Sequence, residues 1–146
     1  MHLPIIIVLF TILFFPSPLH ADWVEESGIL KPVQLFDQYY GTDQMDKVAE
    51  VVTDNFLGGK SRSEWAEETA SLLHGIAYER LDSEYKGSIA NEGHTEGSVL
   101  MATTFKTMAG KVRCVELFRL VRDGETWQID DLEISDETIL PKTFEL

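Results

Sequence analysis

The stretch "RLVRDGETWQIDDLEIS", residues 119–135, decides the fold. Its Asp123-Gly124 pair stands between two runs with alternating apolar residues, which is a strong signal for a β-hairpin with a tight turn. The sequence therefore predicts two adjacent antiparallel strands at the end of the domain.

The second of these strands changes phase in its middle. Trp127 and Ile129 cannot share a face with Leu132 and Ile134 in a regular strand, because strand residues alternate between the two faces. One extra residue at Asp130-Asp131 would return all four side chains to one face, so we predict a β-bulge there, which also bends the strand. The alternative is a strand that is buried on both faces after residue 131.

Two further extended runs precede this hairpin, again with short turns between them. The predicted strands are "IAYERLDSEYKGSIA" (76–90), "SVLMATTFKTM" (98–108), "VRCVELFRLV" (112–121) and "TWQIDDLEIS" (126–135). Consecutive strands joined by short turns form an antiparallel meander. In the second run, Val99, Met101, Thr103 and Phe105 fall on one face.

Three amphipathic helices are predicted ahead of the strands. They are "PVQLFDQYY" (32–40), "TDQMDKVAEVVTDNFLGG" (42–59) and "SRSEWAEETASLLHG" (61–75). Pro32 suits a first turn, Thr42 can cap the second helix, and Ser61 or Ser63 can cap the third. Helices collected before the strands indicate an α+β domain, with three helices packed in the hollow of a curved antiparallel four-stranded sheet.

Residues 1–21 have the pattern of a secretory signal peptide. An apolar run from Leu3 to Phe15 is followed by Pro16, Pro18 and then Ala21, after which cleavage is expected. The apolar run is shorter than the ~20 residues that cross a bilayer, and an uncleaved anchor is the alternative. We therefore expect an exported, periplasmic or secreted protein whose single domain spans residues 22–146, without membrane insertion after cleavage.

All charged residues follow the predicted signal peptide, so the domain carries the full formal net charge of −13. Nucleic-acid binding depends on Lys and Arg contacts with phosphates, and this charge opposes it. The same charge disfavours anionic membrane surfaces. We expect a solvated acidic exterior that binds no nucleic acid.

The chain has one cysteine, Cys114, inside the apolar run "VRCVELF". One cysteine cannot form an internal disulfide, so the core must stabilise the domain. We expect Cys114 to be a small buried apolar residue, the alternatives being an intermolecular disulfide or a reactive thiol.

From Met45 to Ile134 the chain resembles small secreted bacterial proteins labelled domain of unknown function 4019, in the nuclear transport factor 2-like (cystatin-like) superfamily. The matching motifs are "SRSEW" (Trp65), Gly75 with Arg80, "MATTFKT" (Thr103, Thr104, Phe105), "VELF" (Glu116) and "RDGETWQI" (Gly124, Trp127). The resemblance implies a cone-shaped fold, and it brings no activity with it, because a fold does not imply a function.

Enzymes of this superfamily use a His or Asp base inside the cone, with a Tyr or a second acid nearby. The residues that could fill these roles here are Asp37, Tyr39, Tyr40 and His74. Because no base, stabiliser and orienting group can be brought together from the sequence, we do not expect an enzyme.

Glu116 shares a face with apolar residues of its strand, so we expect it to be buried. A buried carboxylate needs a partner, which Arg80 or Arg119 can provide. We predict a structural ion pair of Glu116 with Arg80, the alternative being a ligand-binding role. The opposite face of this strand carries Val115, Leu117 and Val121, which favours a homodimer through the outer sheet face.

Metal binding is not expected. His94 and Glu96 lie in a turn without a third ligand at suitable spacing, and no cofactor motif is present. The sequence thus favours a secreted or periplasmic, non-catalytic module that binds an unknown protein or a small apolar ligand. The alternative is a small lyase or isomerase with an apolar substrate. Candidate pocket residues are Trp65, Leu72, Met101, Phe105 and Trp127.

Overall fold

A computed structural model describes residues 27–136 of the chain. The predicted signal peptide lies outside the described residues. Within them, no helix combines the length and the apolar character needed to span a bilayer.

Within residues 27–136, four helices precede four strands. The helices are α1 (Ser27–Tyr39), α2 (Met45–Ala49), α3 (Asp54–Leu57) and α4 (Arg62–Gly75). The strands are β1 (Glu79–Ala90), β2 (Glu96–Thr107), β3 (Gly110–Asp123) and β4 (Thr126–Asp136). They form one antiparallel sheet in the order β1-β2-β3-β4, so the predicted α+β meander is confirmed.

The predicted bulge in β4 is confirmed. Arg119 pairs with Asp131 and Leu120 pairs with Ile129, which leaves Asp130 as the extra residue. Trp127 and Ile129 are buried, and Leu132 packs against the same core after the bulge. The bulge therefore keeps Trp127, Ile129 and Leu132 on the face toward the helices, whereas Ile134 near the end of the strand is 58% exposed.

The prediction of one continuous helix over residues 42–59 is wrong. The segment separates into α2 and α3, because Val52 between them forms a parallel bridge with Ile129 of β4. The Thr53 amide donates to the Ile129 carbonyl at 2.9 Å, and the Thr53 side chain accepts from the Phe56 amide as the cap of α3. Hydrogen bonds to the sheet thus replace those that a continuous helix would make.

Two other helix boundaries differ from the prediction, and one agrees. Helix α1 begins at Ser27, so Pro32 lies inside the helix and not in its first turn. Thr42 does not cap α2, whose N-cap position is occupied by Gln44. Ser61 caps α4 by accepting a hydrogen bond from the Glu64 amide at 3.2 Å, as predicted.

The main core fills the space between the helices and the concave face of the sheet. At its centre, the Phe36 ring of α1 stacks on Tyr40 at 4.4 Å and meets Phe118 of β3 edge-on at 5.1 Å. Ile129 of β4 is fully buried beside them in the same cluster. The hollow of the sheet is therefore packed with aromatic and aliphatic side chains.

A second, smaller apolar cluster lies on the opposite face of the sheet. It consists of Leu100, Val115 and Leu117, each at most 4% exposed, and includes no residue of α1–α4. The two central strands are thus apolar on both faces, as the pattern of β3 predicts.

Candidate functional site

A buried ion pair joins β1 to β3. The Arg80 guanidinium donates from Nη2 to Glu116 Oε1 at 2.7 Å and from Nη1 to Glu116 Oε2 at 3.0 Å. The side chains are 7% and 4% exposed, respectively. This two-bond geometry matches the guanidinium fork to the carboxylate. The pair that the sequence predicts is thus present, with Arg80 as the partner.

The same guanidinium also holds helix α1. Arg80 Nε and Nη2 donate to Asp37 Oδ1 at 3.0 and 2.8 Å, and the Ser83 hydroxyl donates to the same oxygen. Asp37 is 34% exposed, so it reaches solvent where Glu116 does not. One arginine therefore connects a helix and two strands.

Hydroxyl groups complete this Arg80 cluster, which we define as Arg80, Asp37, Glu116, Thr103 and Tyr78. Thr103 Oγ1 donates to Glu116 Oε1 at 2.6 Å, and the Tyr78 hydroxyl accepts from Arg80 Nη1 at 3.1 Å. Among the described residues, no buried side-chain nitrogen or oxygen lacks a hydrogen-bond partner. The cluster is therefore internally satisfied, which buried charges require.

Burial and charge shift several pKa values around the cluster. Burial acts to lower the pKa of Arg80, but the hydrogen bonds and the charge of Glu116 outweigh it and raise that pKa. Burial raises the pKa of Tyr78 to about 12, and burial together with the charge of Glu116 raises the pKa of Tyr40. Arg80 thus stays charged and both phenols stay neutral at physiological pH.

The raised pKa of Tyr78 predicts a loss of stability in alkali. The folded state keeps the phenol proton up to about 12, whereas the unfolded chain releases it near the ordinary value of 10. The stabilisation of the folded state that the raised pKa of Tyr78 provides is therefore complete below pH 10 and disappears as the pH rises toward 12. We expect Tyr78→Phe to reduce the alkaline drop in unfolding free energy by about 1–2 kcal/mol.

Urea denaturation from neutral pH into this alkaline range measures that difference. The phenylalanine ring keeps the contacts with Phe105 and Tyr40 but loses the hydrogen bond from Arg80, so the quantity compared is the change in unfolding free energy between neutral and alkaline pH within each protein. An identical alkaline drop in both proteins would contradict the assignment to Tyr78.

Of the five candidate pocket residues, Trp127, Met101 and Trp65 belong to or pack against the main core, whereas Phe105 and Leu72 do not. Trp127 is buried in the core, and Met101 packs against that core. Phe105 contacts Tyr78, and Trp65 meets Phe56 edge-on. Leu72 is 73% exposed, because the buried face of α4 carries Ala66, Ala70 and Leu73 instead.

Of the residues considered for catalysis, Asp37 and Tyr40 lie in or beside the Arg80 cluster, whereas Tyr39 and His74 do not. Asp37 belongs to the Arg80 cluster and Tyr40 stacks in the core, whereas the Tyr39 hydroxyl accepts from Lys47 Nζ at 3.4 Å. His74 is exposed at the end of α4. Arg119, the other partner considered for Glu116, pairs with Glu133 at 3.2 Å. Among the described residues, no three His, Cys, Asp or Glu side chains are grouped to hold a metal.

The role of Asp37 as a partner of Arg80 was not predicted from the sequence, which considered Asp37 as a possible base inside the cone. A signal was present, because Asp37 follows Val33 by four residues and so shares the face that packs on the sheet. What the sequence could not supply is the position of Arg80, which lies 43 residues further along the chain.

Two of the surface hollows formed by the described residues lie beside the packed interior. One, of about 430 Å³, is lined by the ends of β1, β2 and β3 and by Asp130. The other, of about 410 Å³, lies between α2 and α4 and is called the α2–α4 groove. Its floor is formed by Met45, Ala49, Ala66 and Ala70, and its rims by Asp43, Asp46, Glu50, Arg62, Ser63 and Glu67. None of the five candidate pocket residues lines either hollow.

No family model matches the chain, and no curated protein matches it significantly. Solved structures do match. A domain of unknown function with a cystatin-like fold from Nostoc punctiforme is 16% identical with a TM-score of 0.59, over 86% of this chain and 83% of its own. A ketosteroid isomerase-like protein from Erwinia carotovora atroseptica is 20% identical with a TM-score of 0.58, over 80% of this chain and 98% of its own.

This chain has a cystatin-like fold. A Bdellovibrio bacteriovorus protein is also similar, at 12% identity and a TM-score of 0.58 over 82% of this chain, and the match spans 43% of that protein's length. At these identities, the likeness shows the cystatin-like fold alone. The predicted cystatin-like architecture is confirmed, and the function must be argued from the residues of this chain.

Proposed function

We propose that the chain is a secreted or periplasmic, non-catalytic binding or interaction module, of the family labelled domain of unknown function 4019. The observation that carries the proposal is the state of Glu116. This buried carboxylate accepts two hydrogen bonds from Arg80 and a third from Thr103. A general base needs room for a substrate and an available lone pair, and Glu116 is enclosed instead.

The packing of the hollow supports the same conclusion. Phe36, Phe118 and Ile129 are fully buried where a substrate of the cone would otherwise lie. Binding by this fold would then use its outer surfaces, which carry a strong negative charge. The interior provides stability, and the surface provides recognition.

One observation favours the alternative of a small lyase or isomerase. Asp37 is partly exposed, and all of its hydrogen bonds among the described residues fall on Oδ1, which leaves Oδ2 open to solvent. Such an oxygen could take a proton from an apolar substrate at the mouth of the hollow.

The partner expected from the sequence is a second copy, packed through the outer sheet face. The apolar cluster of Leu100, Val115 and Leu117 lies on this face, but each side chain is at most 4% exposed in a single chain, so this part of the proposal rests on the apolar pattern of β3. A dimeric mass in light scattering at tens of micromolar is the expected result. A monomeric mass would contradict it.

Native mass spectrometry of the protein, purified from the cell envelope fraction of its own organism, tests the proposal as a whole. We expect a polypeptide that has lost residues 1–21 and that retains a bound protein or a small apolar compound. A chain that keeps residues 1–21 would contradict cleavage. A bound compound that the protein converts to a product would contradict a non-catalytic function.

A further inference from the structure

The α2–α4 groove has an apolar floor made of small side chains. Met45, Ala49 and Ala66 are buried, and Ala70 packs against the same core. Alanine extends little beyond the helix backbone, so the two helices leave a groove between them. Its volume of about 410 Å³ suits one or two long side chains, and ligand sites start at about 300 Å³.

The rims of the groove carry carboxylates that have no counterion among the described residues. Asp43, Asp46 and Glu50 stand on one side and Glu67 on the other, all exposed. Within residues 27–136, none of the four forms an ion pair. Arg62, the one basic residue among the described residues that line the groove, is already engaged by Asp54 at 3.3 Å and by the Val52 carbonyl at 3.1 Å. The groove therefore presents an unbalanced negative charge around an apolar floor.

We propose that the α2–α4 groove docks a basic, amphipathic segment of a partner protein. Lys and Arg side chains have long aliphatic stems and cationic ends, so the stems can lie on the alanine floor while the ends meet the rim carboxylates. Such complementary charge directs the choice of partner and speeds association. This inference rests on the proposed binding function and names the chemistry of the partner.

Other occupants fit the groove less well. A second copy of the chain also carries a net charge of −13, so its acidic surface would be repelled by the rim carboxylates of the groove. Phosphate-bearing ligands would be repelled for the same reason. A metal ion requires ligands that converge, and no such group of three occurs within the described residues.

The test uses a fluorescein-labelled helical peptide of leucine and lysine as the probe, with binding followed by fluorescence anisotropy. The groove variant carries Asp43→Asn, Asp46→Asn, Glu50→Gln and Glu67→Gln. The matched control carries Asp82→Asn, Glu92→Gln, Asp123→Asn and Glu125→Gln, which are also exposed and lie outside the groove. Both variants lose four negative charges, so any difference in their affinity for the peptide comes from where those charges lie and not from the net charge.

We expect the groove variant to weaken peptide binding about tenfold more than the control does, which corresponds to about 1.4 kcal/mol. Ala70→Leu, which fills the floor and changes no charge, should also weaken binding. Equal losses in the two charge variants, or unchanged binding in Ala70→Leu, would overturn the proposal. So would self-association of the wild type that only the groove variant abolishes, because the occupant would then be a second copy.

The inference and the proposed function can fail separately. If the groove variant still retains a partner in the native mass spectrum, docking in the α2–α4 groove is contradicted and the proposed binding function is not. A product formed from a retained compound would overturn the binding function, whatever the peptide experiment shows.

Discussion

Replacing Arg80 with methionine is expected to lower the unfolding free energy by about 3–5 kcal/mol, enough to unfold a large share of a marginally stable domain. Methionine preserves most of the side-chain volume and removes the charge and all the donors. Glu116, with a side chain only 4% exposed, would remain buried without a counterion. Urea denaturation of the wild type and the variant measures the difference.

Two comparisons separate the buried charge from general effects of the substitution. Arg119→Met removes an exposed pair with Glu133 on the neighbouring strand and should cost less than about 1 kcal/mol. Adding Glu116→Gln to Arg80→Met should recover part of the loss, because no unpaired charge then stays buried. A loss in Arg80→Met no larger than that in Arg119→Met would show that the ion pair does not stabilise the fold.

Deleting Gln128 from β4 is expected to have an effect of similar size. The deletion shifts the alternation by one residue, so either Trp127 or Ile129 must leave the core, where they are 6% and 0% exposed. Removing a large buried side chain from a core costs about 3–5 kcal/mol. We expect the variant to show no cooperative unfolding transition or one at much lower urea concentration.

Deletion of Asp130 is the matched control, since it removes one residue from the same strand. Asp130 is the extra residue of the bulge, so its loss leaves every other side chain of β4 on its present face. The variant loses the bend and the hydrogen bond from the Thr53 hydroxyl to Asp130, 2.7 Å long, and should remain folded with a loss of about 1–2 kcal/mol. If deleting Asp130 lowers the unfolding free energy more than deleting Gln128 does, the bulge itself stabilises the domain more than the burial of the apolar side chains of β4.

The bulge could be predicted because its signal is local. Alternation between faces is strict in a strand, and a single break in it, at Asp130, locates one extra residue. The two irregularities in β1, at Leu81 and Lys86, were not predicted, since the apolar residues of that strand do not alternate clearly.

The break between α2 and α3 could not be predicted, because its cause is tertiary. Val52 leaves the helix to bridge Ile129, a residue far along the chain, and no pattern within residues 42–59 records that contact. The same holds for the Arg80 cluster. The sequence indicated that Glu116 needs a partner, but only the folded chain brings Asp37 to the same guanidinium.

The position of Cys114 provides a way to observe the opening of this domain. It is the only cysteine of the chain, and it is buried on β3 opposite Thr103. Burial raises the pKa of its thiol to about 11, so the folded protein should react slowly with thiol reagents, whereas the unfolded chain exposes an ordinary thiol. The labelling rate in native conditions would then measure how often the middle of the sheet separates, without any introduced probe.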